Sequence, residues 1–194
     1  NTTNLHVKTA IKLANANIPL FIEKPLSNST KDIKILLNII KKKKLVTMMG
    51  CVLRFHPAIK KIKEIISENK IGKIISVHAE NGSFLPNWHL DEDYKKSYAS
   101  RNDLGGGVVL TNIHELDYLY WFFGNVNEVF SITGKFSDLE IDVEDLSSIL
   151  LRFKNNIIAE IHLDYFQKPS VRSCKIVGTQ GTVYWDSSKN NVRL

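Results

Sequence analysis

Val7, Ala10, Ile11 and Ala14 recur at i, i+3, i+4 and i+7, which predicts an amphipathic helix over residues 4–16. Pro19-Leu20-Phe21-Ile22 is a short apolar run of the kind that forms a buried parallel strand. Ile33, Leu36, Leu37 and Ile40 form the stripe of a second helix, with Ser29, three residues before Asp32, as its expected cap. Leu45–Met49 is the next strand candidate. Helix, strand, helix, strand at this spacing is half of a doubly wound α/β sheet, here assigned to residues 1–50.

The pattern changes after residue 50. Pro57 suits the first turn of a helix whose inner face carries Ala58, Ile62, Ile65 and Ile66. Gly72 permits a turn into a strand at 74–79. Residues 85–104 read as a long polar and aromatic loop. Val108–Phe123 reads as one helix, apolar all round. From Ile157 to Tyr165 the apolar residues alternate strictly, and Asn155-Asn156 suits a tight hairpin from a partner strand at 147–153. Further strands fall at 126–136, 171–177 and 182–185. Residues 51–194 therefore read as an α+β unit, an open and largely antiparallel sheet with helices on one face.

The 194 residues are 43% hydrophobic and 24% charged, an ordinary globular balance that excludes fibrous and low-complexity classes. No apolar run approaches the ~20 residues of a membrane span. Two cysteines, Cys51 and Cys174, cannot form a disulfide framework, which fits a reducing cytoplasm. The net charge is +6, but the densest run, Lys41–Lys44, has no interleaved aromatics and sits where a helix should end. It reads as a solvated helix terminus rather than a nucleic-acid or membrane patch. The chain starts Asn1-Thr2-Thr3 without methionine, and it is expected to be a piece of a longer protein.

Ligand crevices of doubly wound sheets lie at the carboxyl ends of strands, and Glu23-Lys24-Pro25 occupies such an end. Strand ends often carry charges, so this alone is weak. His114 and Asp117 share one side of their helix, an arrangement that serves equally as a satisfied core pair. Glu160, His162 and Asp164 share one strand face, but no second ligand cluster accompanies them, and no metal site is assigned.

Four motifs in order are more specific. Asn1–His6 before a helix, then Phe21-Ile22-Glu23-Lys24-Pro25-Leu26-Ser27; Arg54-Phe55-His56-Pro57; Gly105-Gly106-Gly107 followed by His114-Glu115-Leu116-Asp117; and Gly178-Thr179-Gln180-Gly181-Thr182. Together they resemble the glucose–fructose oxidoreductase / inositol dehydrogenase / rhizopine-catabolism (Gfo/Idh/MocA) family over nearly the whole chain. The Gly-x-Gly-x-x-Gly turn with which such proteins begin is not in this sequence.

The resemblance implies NAD or NADP as cofactor and hydride transfer at a hydroxyl-bearing carbon of a sugar, sugar derivative or nucleotide sugar. It implies Lys24 and His114 as catalytic residues, with Asn1, Thr3, His6, Glu23, Lys24 and Pro25 beside the nicotinamide ribose. Arg54, Trp88, Tyr94, Arg101, Asn112 and Asp117 are the expected substrate contacts. A homo-oligomer through the open sheet also follows from the resemblance. Thr111 and Leu110 stand where many members carry an aspartate before the histidine, and Val52 where an asparagine is common. NAD-dependent sugar elimination and a non-catalytic sugar-binding or oligomerisation role are therefore alternatives. The 194 residues alone are expected to show little activity.

Overall fold

The computed structural model describes residues 1–189 and 191–194. A 3-10 turn at Thr3–Leu5 leads into α1 (His6–Asn15), β1 (Leu20–Ile22), α2 (Ile33–Lys43) and β2 (Thr47–Met49). β1 and β2 pair in parallel, Leu20 opposite Thr47. Val7, Ala10 and Ala14 of α1 pack with Leu20, Ile22 and Leu36 into a small core of their own. The predicted cap of α2 is corrected: the helix begins after Asp32, whose φ is 60° and whose side chain makes no capping bond. Ser29 belongs to the preceding turn, where its amide donates to Ser27 Oγ.

The second unit adds α3 (Pro57–Ser67), β3 (Ile74–Gly82), α4 (Val108–Thr111), α5 (His114–Phe123), β4 (Val126–Gly134), β5 (Leu146–Phe153), β6 (Ile158–Asp164), β7 (Val171–Gly178), β8 (Thr182–Asp186) and β9 (Asn191–Arg193). The seven strands run in the order β4-β5-β6-β3-β7-β8-β9. Only β3–β6 is parallel; the other neighbours are antiparallel. The strand-period residues behave as the alternation requires: Ile157, Ala159, Ile161, Leu163 and Tyr165 are all buried. Asn156 takes φ 63° in the β5–β6 hairpin, a conformation asparagine tolerates. The inner sheet face and the helices enclose one core that includes Ile59, Ile62, Tyr118, Leu119, Phe153 and Trp185. The other face is left open, with Phe130, Ile132 and Leu150 exposed.

Two expectations change. Residues 85–104 are not a plain loop but carry four 3-10 turns, at Leu85–Asn87, Tyr94–Lys96, Tyr98–Ser100 and Asn102–Leu104. The predicted helix over 108–123 is broken at Asn112-Ile113. In an unbroken helix the Thr111 carbonyl would accept from the amide four residues on. Here it accepts from the Lys24 ammonium at 2.7 Å instead.

That bond is one of several joining the two units. Asn4 Nδ2 donates to the Asp103 carbonyl at 2.7 Å. A β-carbon at Gly105, where φ is 81°, would stand 2.8 Å from Thr3 Cβ. Among the described residues no helix is long and apolar enough to cross a membrane.

Candidate active site

β1 ends at Ile22 and delivers Glu23 and Lys24 to the junction between the units. The Lys24–Pro25 peptide is cis. Glu23 folds back so that Oε2 accepts from the Lys24 amide at 3.0 Å. Gly50 keeps room for this carboxylate, since a β-carbon there would meet Glu23 Oε1 at 2.8 Å. His6 fixes the turn from below: Nδ1 lies 2.8 Å from the Pro25 carbonyl oxygen and Nε2 lies 3.2 Å from that of Asn1.

The break between α4 and α5 faces Lys24. Burial lowers the Lys24 pKa; the Glu23 carboxylate pulls it back up, and Arg172 depresses it again. His114 is buried, 7% exposed. Its pKa falls to about 4, through burial first and then the charges of Lys24 and Arg172, with Asp117 opposing. The imidazole is therefore neutral at pH 7. Among the described residues, no hydrogen-bond partner meets His114 Nδ1, Asn112 Nδ2 or Thr111 Oγ1, all buried. Three unpartnered polar atoms beside an ammonium suit a hydroxyl-rich ligand.

The remaining candidates divide. Asp117 is taken up by Arg54, whose Nε and Nη2 donate to its two oxygens at 2.9 and 2.7 Å. Burial, followed by the charge of Asp117, pushes the nearby Cys51 thiol up to about 11, so it stays protonated. Trp88 and Tyr94 line one cavity of about 120 Å³ with His89 and Tyr98. Trp88 donates to Ser83 Oγ and stands edge-on to Tyr165. Arg101 lies apart: it is exposed, forks onto Asp103 at 2.9 and 2.6 Å, and lines a different cavity with Lys95 and Lys135. Asn1, His6 and Glu23 share a groove of about 400 Å³ along β1. Thr3 is buried under Gly105 and Pro25 contributes its carbonyl to His6, so both shape this edge from behind.

Two charged residues at this corner escaped the sequence reading. Glu115 is fully buried in the first turn of α5, and Arg172 of β7 stands with Nε 3.0 Å from its Oε1. The contact is a buried ion pair. Burial raises the Glu115 pKa to about 6 against the pull of Arg172. A glutamate inside an apolar helix was the available signal for such a partner. No cluster of three or more His, Cys, Asp or Glu among the described residues is placed to hold a metal.

A family model described as "Oxidoreductase family, NAD-binding Rossmann fold" matches residues 1–51, and one described as "GFO/IDH/MocA C-terminal domain" matches residues 59–184. The chain belongs to the GFO/IDH/MocA family.

Within it, the chain is similar to levoglucosan dehydrogenase of Pseudarthrobacter phenanthrenivorans, 25% identical over 214 residues, covering 97% of this chain and 54% of that protein. It is 30% identical over 169 residues to myo-inositol 2-dehydrogenase of Thermotoga maritima, covering 83% of this chain and 47% of that protein. A solved levoglucosan dehydrogenase in complex with NADH shares the fold, with a TM-score of 0.87 at 22% identity over 98% of this chain and 53% of that one. The chain thus spans about half the length of the curated relatives it matches.

Proposed function

We propose that the whole protein is an NAD(P)-dependent dehydrogenase that moves a hydride to or from a hydroxyl-bearing carbon of a sugar or polyol. One observation supports this reading: a lysine ammonium from the first unit donates to the Thr111 carbonyl of the second, and its charge is felt by the buried, neutral His114 three residues on.

The groove along β1 fits the nicotinamide end of the cofactor. Asn1 offers an amide and Glu23 a carboxylate to ribose hydroxyls, and both line it. Bound there, the cofactor supplies the hydride acceptor or donor, and the protein supplies orientation and charge. Lys24 orients the substrate hydroxyl and stabilises negative charge as it grows on that oxygen. His114 accepts the hydroxyl proton in oxidation and returns it in reduction. Its low pKa guarantees the free base at neutral pH. Asn112 Nδ2 holds a neighbouring hydroxyl. Trp88 and Tyr94 bound the sugar's outer side, and Arg54 acts by keeping Asp117 beside His114. Residues 1–50 and 51–194 act as the cofactor-side and substrate-side units, and the open sheet face pairs with a second copy.

The test is NADH binding followed by turnover over a panel of sugars and polyols. Lys24→Met should lower kcat by about 10²–10³-fold, the scale of one lost electrostatic contact in a transition state. His114→Gln should lower kcat similarly while leaving NADH affinity unchanged. Failure of the intact protein to bind either NADH or NADPH would overturn the reading.

A further inference from the structure

Arg172 has no role in the chemistry above, yet it sits against it. It lies on the helix-facing side of β7, two and four residues before the buried Cys174 and Ile176. Its register partner in β3 is Asn81. Asn81 Nδ2 reaches Glu115 Oε2 at 3.5 Å, and Arg172 Nε stands 3.0 Å from Oε1 of the same carboxylate. Glu115 is fully enclosed, while the Arg172 side chain keeps 27% exposure. The inner end of the guanidinium is thus pinned in the core. Among the described residues, its two terminal nitrogens donate to no protein atom.

A guanidinium held this way presents a rigid two-pronged donor, the geometry that matches a planar pair of oxygens. Glu115, which it contacts, directly follows His114 at the start of α5, so the guanidinium stands at the same corner, and its charge is felt at both Lys24 and His114. Charged donors prevail among the free groups there, with His114 Nδ1 and the Thr111 hydroxyl as the uncharged acceptors. Lys24, Asn112 Nδ2 and the Arg172 fork are donors. The carboxylates that could answer them are engaged elsewhere: Glu115 behind Arg172, Asp117 on Arg54 and Glu23 on the Lys24 amide.

We propose that Arg172, anchored by Glu115, receives the carboxylate of a sugar acid, so that the site takes acidic sugars in preference to neutral ones. The inference rests on the dehydrogenase reading and names its substrate class. Arg172 sets specificity, and Glu115 and Asn81 position it.

The experiment titrates the whole protein with D-glucuronate, with D-glucuronamide as the uncharged isostere, and with D-glucose, followed by calorimetry. Glucuronate should bind at least about tenfold tighter than glucuronamide, and the ratio should shrink as salt rises. Arg172→Lys should keep the charge but lose most of the ratio, because an ammonium lacks the fork. Arg172→Gln leaves Glu115 buried and unpaired, so the double variant Glu115→Gln/Arg172→Gln is measured beside it, with circular dichroism confirming its fold. That variant should bind the acid and the amide equally. Equal affinity in the unmodified protein, binding of none of the three, or a ratio unchanged by Arg172→Lys and by the double variant would each overturn the inference. Intact NADH binding and turnover of neutral sugars alongside any of these would leave the dehydrogenase reading standing.

Discussion

The two units solve the burial problem on different scales. Residues up to 51 close over Val7, Ala10, Ala14, Leu20, Ile22 and Leu36, with only two three-residue strands between the helices. Phe21, Val46 and Met48 of that region stay exposed. The seven-stranded unit instead buries whole strand faces against α3, α4 and α5, with Trp185, Tyr118 and Tyr165 fully enclosed. A small core offers little free energy against chain entropy, so it depends on its contacts with the larger one. Those contacts include Lys24 on Thr111, Asn4 on Asp103 and Thr3 on Gly105. The site therefore lies where the weaker unit leans on the stronger.

That asymmetry can be broken from either side. The largest effect belongs to Trp185→Ala, which should cost about 3–5 kcal/mol and shift urea unfolding of the whole chain. Leu36→Ala should instead speed hydrogen exchange in α1, β1 and α2 while exchange in β5 and β6 stays slow. Equal acceleration in both units would show a single cooperative core.

Acid should act on the corner between the units. The His114 pKa falls from 6.5 unfolded to about 4 folded, so the unfolded chain binds more protons between those values. His114 thus contributes stability that is complete above pH 6.5 and is lost as pH falls towards 4. Glu115 acts oppositely: its pKa rises from 4.5 to about 6, so its burial penalty is relieved over that interval as pH falls. The effects are on the order of 3 kcal/mol for His114 and 2 kcal/mol for Glu115, and they partly cancel. His114→Gln should flatten the acid side of the stability profile, and Glu115→Gln should steepen it. The ring proton shifts of His114 should titrate near pH 4; a midpoint near 6.5 would refute the buried, cation-flanked imidazole.

A more local effect is expected at Gly106. A β-carbon there would collide with the carbonyls of Tyr98 and Ala99. Gly106→Ala should cost about 1–3 kcal/mol as an overpacked site, read from its melting temperature. If the cavity lined by Trp88 and Tyr94 takes the sugar, the substitution should also weaken sugar binding more than NADH binding, because the strain falls on the Tyr98 turn beside that cavity.

Much of the architecture was legible because its signals are local. The α1 stripe, the alternation through β6 and the Asn155-Asn156 hairpin are read within a few residues. The break at Asn112 was not, because its cause is Lys24, 87 positions away in sequence. The parallel β3–β6 pairing likewise leaves no local trace. At the site, Lys24 and His114 stood out through a family resemblance, and the structure sets them at one corner. Arg172 was passed over because one arginine in a strand looks like any edge charge. Only the register with Asn81 and the buried Glu115 give it meaning.

The helix break has a further electrostatic effect. In a continuous helix His114 would sit at mid-length, where the peptide dipoles nearly cancel. Restarting at His114 places the imidazole at the positive end of ten aligned residues. That field disfavours a protonated ring and favours the two acids of the same turn, Glu115 and Asp117. The bond from Lys24 to the Thr111 carbonyl thus accompanies a second source of positive potential, the backbone of α5, and both favour the uncharged imidazole.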